Sequence, residues 1–204
     1  MLIAIGASMI ASADARAADP PLFFAFKSFC IDTDAVPGAV KTAVEGVGGK
    51  LFRGPVSSPG FPYVVGLTIW NIAIDGHALS VSAGAQHIPS TLNHHRPEDD
   101  NNDCTVVSYS NDDTGIAAIR RWIGVPGRID RPSSPLYFGG RRLPDVTLYF
   151  FSYQQVGNVR MAVIDKVGLE AAEREGRYWT VVLTRGLHVS SVQLTHVLGV
   201  PNAH

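Results

Sequence analysis

Two cysteines, Cys30 and Cys104, constrain the folding of this 204-residue chain more than any other feature. Only one intramolecular pairing exists, and it would close a loop of 74 residues. Closing a loop of that size removes denatured-state entropy worth about 4 kcal/mol in the chain-entropy picture, a large share of a domain's net stability. The compartment decides whether the bridge forms: an even number of cysteines pairs in an exported chain, whereas a reducing cytosol would leave two buried thiols. A catalytic thiol is disfavoured. There is no C-x-x-C pair, and neither neighbourhood is rich in the Lys, Arg or His that would lower a thiol pKa.

The amino terminus speaks to that compartment. MLIAIGASMIASADARAADP places an apolar run from Leu2 to Ala11 ahead of the small-residue pattern Ala15-Arg16-Ala17, the order of a secretory signal peptide cut after Ala17. No Lys or Arg precedes the run, a departure that either a start codon upstream or a weak signal would explain. The reading is therefore a signal peptide over 1–17 and one α+β domain over 18–204, long enough for a proper hydrophobic core. An apolar run of about ten residues is too short to span a bilayer, and no later stretch reaches that span. No cysteine follows the cleavage site to carry a lipid anchor. The expectation is a periplasmic or secreted protein. Its formal net charge of -1 gives no support to a nucleic-acid or anionic-membrane partner.

Periodicity then sets out the elements. LFFAFKSFC (22–30) is an apolar run too short to separate a buried strand from a helical lead-in. In IDTDAVPGAVKTAVEGVGG, Asp32 and Asp34 are N-cap candidates and Pro37 suits a first turn. Val36, Val40, Val44 and Val47 recur at helical spacing, and Gly48 and Gly49 stop the pattern. Residues 52–63 are turn-rich and read as irregular. GLTIWNIAI-DG-HALSVSA reads as a hairpin, since an Asp-Gly pair supplies the two positive φ values of a type I′ turn; Trp70, Ile72 and Ile74 then share a face with Leu79 and Val81. CTVVSYS (104–110) reads as a strand. NDDTGIAAIRRWIG follows as a helix capped at Asp112 or Asp113, with Ile116, Ile119 and Ile123 inward and Gly124 as its stop. Beyond a loop over 128–142 come a strand pair turning near Gly157-Asn158, a short helix over 168–176, and two strands in RYWTVVLTRG and LHVSSVQLTHVLG. The two halves share a grammar of cysteine, capped helix, glycine stop and hairpin. The expected fold is an antiparallel sheet with two helices packed on one face, and the shared grammar would make it an αββ unit used twice.

Few residues carry chemistry. Within NHHRPEDDNNDC (93–104), Asp99, Asn101 and Asp103 are spaced like the first oxygen ligands of a calcium loop. The match then fails, because Cys104 stands where the turn needs Gly and Ser110 where a bidentate Glu is required. His94 and His95 are neighbours whose side chains diverge, so no metal is expected and the segment reads as a solvated loop leading to Cys104. Arg128, Arg131, Arg141 and Arg142 could converge on a carboxylate or phosphate, with Gly139-Gly140 admitting an anion to the backbone; the plainer reading is a charged linker. His188 and His196, eight residues apart, would share a strand face, and most such histidines are structural. G-x-S-x-G, S-x-x-K, H-E-x-x-H and a phosphate-binding glycine loop are all missing, and nothing calls for a cofactor.

FKSFC at 26–30, the Asp-Gly hairpin and CTVVSY ahead of a capped helix together resemble the uncharacterised small exported two-cysteine proteins of alphaproteobacteria. The resemblance covers most of the mature chain. It implies a periplasmic α+β domain, brings no activity and assigns no site residue. The expected role is a non-enzymatic binding or accessory module, taking an anionic small ligand or a protein partner through its sheet face or its arginine loop. The alternative is a small hydrolase built on a histidine and an acid.

Overall fold

The computed structural model describes residues 19–56, 64–88, 99–132, 136–138, 141–143, 145–156, 158–163 and 178–198. The signal segment expected over 1–17, His94 and His95, Gly139-Gly140 and the helix expected over 168–176 lie outside them. A nine-stranded antiparallel sheet dominates the fold. Its strands are β1 (Lys50–Val56), β2 (Val64–Ile74), β3 (His77–Ile88), β4 (Asp99–Ser108), β5 (Arg128–Asp130), β8 (Thr147–Val156), β9 (Val159–Ala162), β10 (Tyr178–Arg185) and β11 (Ser190–Val197). Their spatial order is β1-β2-β3-β4-β11-β10-β8-β5, with β9 also on β8, so β11 docks beside β4 at the centre. A separate hairpin pairs β6 (Leu136–Phe138) with β7 (Arg141–Leu143).

The β2–β3 turn forms as the sequence dictates. Asp75 and Gly76 take φ of 49° and 79°, and the register Trp70↔Val81, Ile72↔Leu79 follows. All four of these side chains are buried. Alternation continues across the sheet: Ala83 pairs with Cys104, Cys104 with Leu194, Leu194 with Val181 and Val181 with Phe151. This row joins residues of α1 (Pro21–Ala25), α2 (Pro37–Gly46) and α3 (Asp113–Ile123) in one core. Leu22, Val40, Val44, Ile116 and Ile119 are each at most 3% exposed.

The run 22–30 is helical, with α1 passing into a π-helical segment over Phe26–Ile31. The wider turn, marked by Asp32 N–H donating to the Lys27 carbonyl, brings Phe26, Phe29 and Cys30 all to the buried side. Cys30 is bonded to Cys104, with Cα atoms 5.4 Å apart and no exposure at either residue. One covalent bond thus ties the helical layer to the middle of the sheet.

Several sequence expectations need correction. The N-cap of α2 is Val36, not Asp32 or Asp34; Pro37 supplies the preset first turn, and Val36 and Val47 are exposed. Residues 50–56 form β1 where irregular chain was expected from 52, because edge strands tolerate the Pro and Gly that argue against a central one. Residues 99–103 are strand, not solvated loop. The 128–142 linker holds three short strands. For α3 the expectation stands: the Asp112 carboxylate accepts the Gly115 N–H at 2.8 Å, and Gly124 ends the helix at φ 69°.

Candidate functional site

The proposed arginines occupy different parts of the molecule. Arg128 lies in β5, its guanidinium 4.7 Å above the Phe150 ring. Because Arg128 pairs with Phe150 and Ile129 with Tyr149, Arg128 stands on the sheet face turned away from the helices. Arg131 is exposed just beyond β5. Arg141 and Arg142 belong to β7, in register with Phe138 and Tyr137.

Two other arginines line a cleft. Arg120 and Arg121 sit in the last turn of α3, where positive charge complements the helix dipole. With Val125, Ile129, Tyr149 and Phe151 they bound a cleft of about 410 Å³ between α3 and strands β5 and β8. Arg120 stacks 4.7 Å from the centre of the Tyr149 ring, which orients its N–H groups while leaving them free to donate. Gly127 completes the wall. A Cβ there would fall 2.5 Å from the Phe151 ring, so only glycine lets the chain cross this close. No Asp or Glu lines the cleft. Nothing in the sequence singled out either arginine; the missing signal was the short α3–β5 connection, which folds Val125 to Ile129 back against them.

The two histidines part company. His188 is exposed in the β10–β11 turn, whereas His196 is 6% exposed near the far end of β11. Its ring stacks on Trp179, with centroids 4.6 Å apart, and Trp179 stacks in turn on Tyr153. Burial pushes the Tyr153 hydroxyl up to about 12. Nδ1 of His196 lies 3.1 Å from Oδ1 of Asp34, which also accepts the indole N–H of Trp179 at 3.1 Å. His196 first, and then Trp179, hold the Asp34 carboxyl below its ordinary range against the opposing effect of burial. Asp34 and its buried neighbour Ala35 both adopt positive φ, 55° and 57°, a conformation that costs about 1–2 kcal/mol per non-glycine residue. That turn carries Asp34 to the sheet. Neither ring nitrogen of His196 has a well-directed hydrogen-bond partner, so no described hydroxyl or thiol stands ready as a nucleophile.

A third cluster lies on the face away from the helices. Asn101, Asp103 and Thr105 alternate along β4 opposite Val197, Thr195 and Gln193 of β11. Asp103 Oδ1 accepts the Thr195 hydroxyl and, at 3.5 Å, the Gln193 amide. Arg128 is four strands away, about 19 Å at the usual strand spacing, too far to share a small ligand with Asp103. Among the described residues, no group of three or more His, Cys, Asp or Glu is placed to hold a metal ion.

Neither a protein-family model, nor a curated protein, nor a solved structure matches the chain.

Proposed function

We propose that this is an exported, non-enzymatic binding protein whose ligand is a small organic anion held between α3 and the β5–β8 edge. The observation that supports this reading is the cleft itself. It combines two guanidinium groups, an aromatic floor and no acidic wall, and its volume falls in the range of small-ligand sites. A carboxylate can take charge-assisted hydrogen bonds from Arg120 and Arg121 while an apolar body rests on Tyr149 and Phe151. The disulfide, and the lack of any described helix able to cross a membrane, fit the periplasmic or extracellular setting read from the signal segment. The repeat belongs to the same proposal: a helix and a run of strands occur twice and meet where β4 pairs with β11.

Benzoate and inorganic phosphate are the probes, followed by calorimetry. Arg120→Ala and Arg121→Ala should each weaken benzoate roughly tenfold, the loss of a hydrogen bond to a charged group. Unchanged affinity in both variants sinks the cleft. Should Arg141→Ala/Arg142→Ala abolish retention on an anionic matrix instead, the site moves to the β6–β7 hairpin.

The 3.1 Å approach of His196 to Asp34 favours a second reading, a hydrolase with that pair as base and orienting acid. It requires turnover of an activated ester that His196→Gln removes while the fold survives. Equal background rates in both proteins would dismiss it.

A further inference from the structure

Asn101 and Asp103 are 7% and 8% exposed, yet Asn101 Oδ1 and Asp103 Oδ2 have no hydrogen-bond partner. A buried acceptor left unpaired costs about 1–3 kcal/mol, and more when charged. Two of them on one face of one strand are an expense the fold gains nothing from. The neighbours do not relieve it. Thr195, across from Asp103 on β11, already donates to the other carboxylate oxygen. Gly84, across from it on β3, brings no side chain at all. Among the described residues no Lys or Arg acts on the Asp103 carboxyl; burial dominates and drives its pKa up, against the hydrogen bonds from Thr195 and Gln193.

Unsatisfied buried groups of this kind ask for a partner from outside the chain, and the two atoms define it. With the carboxyl ionised both only accept, so the partner must donate at least twice. The carboxyl has no counter-charge among the described residues, so a cation fits it better than a neutral donor. A calcium ion would want roughly six to eight oxygens, and two are offered. A primary ammonium brings three N–H donors and one positive charge. We propose that Asn101 and Asp103 form a binding site for the primary ammonium group of a small amine, seated between Asn101 Oδ1 and Asp103 Oδ2. The site lies on the opposite sheet face from the arginine cleft and does not depend on it.

The test uses the full oxidised chain with methylammonium as probe; tetramethylammonium is the cation that cannot donate and erythritol the neutral donor. Thermal melting and the ¹³C resonance of the Asp103 carboxyl are followed. Methylammonium should raise the melting temperature and drive the carboxyl to its ionised position at a pH where it is otherwise protonated; tetramethylammonium should do neither. Asn101→Ala should weaken the response roughly tenfold, one hydrogen bond's worth. Asp103→Asn should abolish it and melt no lower than wild type, since it removes an uncompensated carboxyl. A site that serves only the fold predicts the reverse, a destabilised Asp103→Asn and a wild type indifferent to the probe, and that result overturns the proposal. Equal responses to both ammonium salts, or a response to erythritol in place of methylammonium, overturn it as well. Should Asp103→Asn not fold, the wild-type titration and Asn101→Ala still decide.

Discussion

Reducing the Cys30–Cys104 bond should cost the domain about 4 kcal/mol, the denatured-state entropy released when a 74-residue loop is opened. Reduction in place is a cleaner perturbation than substitution. Both cysteines are fully buried among apolar side chains, and two thiols in that setting behave as small hydrophobes, so packing changes little and the difference reports the cross-link. The protein is unfolded and reduced, refolded in reductant, and compared with the oxidised form in urea. For a chain of this size each kcal/mol moves the melting temperature by about 2–4 °C, so the reduced form should melt about 8–16 °C lower. Reductant added to the folded, oxidised protein should act only as fast as the chain unfolds, because neither sulfur is reachable. A stability difference below about 1 kcal/mol, or free thiols labelled in the untreated native protein, would refute the reasoning.

Asp112→Ala removes the side chain that accepts the Gly115 N–H and should cost about 1 kcal/mol in urea unfolding, the usual worth of an N-cap. Acidification should expose the Asp34 contact. Its folded pKa lies below the unfolded one, so it stabilises above about pH 4 and that contribution fades as pH falls through the lower folded value; Asp34→Asn should flatten this acid limb. Asp103 has the opposite sign, being raised. Its stabilisation is complete below about pH 4 and disappears as pH climbs through the folded value, and Asp103→Asn should remove that slope from the urea midpoint against pH. Gly76→Ala should destabilise the β2–β3 hairpin by about 1–2 kcal/mol, since Gly76 sits at φ 79°.

What could be read from the residues is what local rules control. The Asp-Gly turn fixed the pairing of Trp70 with Val81, the Asp112 cap and Gly124 stop bounded α3, and two cysteines could pair in only one way. What could not be read depends on neighbours distant in the chain. DDNND (99–103) looks solvated because its residues are polar, yet β3 on one side and β11 on the other make it a central strand. LFFAFKSFC has no period that separates strand from helix; its helicity follows from packing against the sheet. Asp34, read as a cap, meets Trp179 across 145 positions of sequence, and His196 meets it there too. Arg120 and Arg121 border a cleft only because Gly127 lets β5 pass under α3.

The central place of β11 has a consequence for the order of assembly. Strands β1 to β4 and the bridge between Cys30 and Cys104 use only the first half of the chain, so that half can close on itself early. Until β11 arrives, one flank of β4 presents bare amides and carbonyls to whatever strand comes near. The interval between making β4 and making β11 is therefore when this protein is most exposed to wrong pairings. A shortened product ending before Ser190 would remain in that condition, with β4 and β10 both left without the strand that joins them and the seam open.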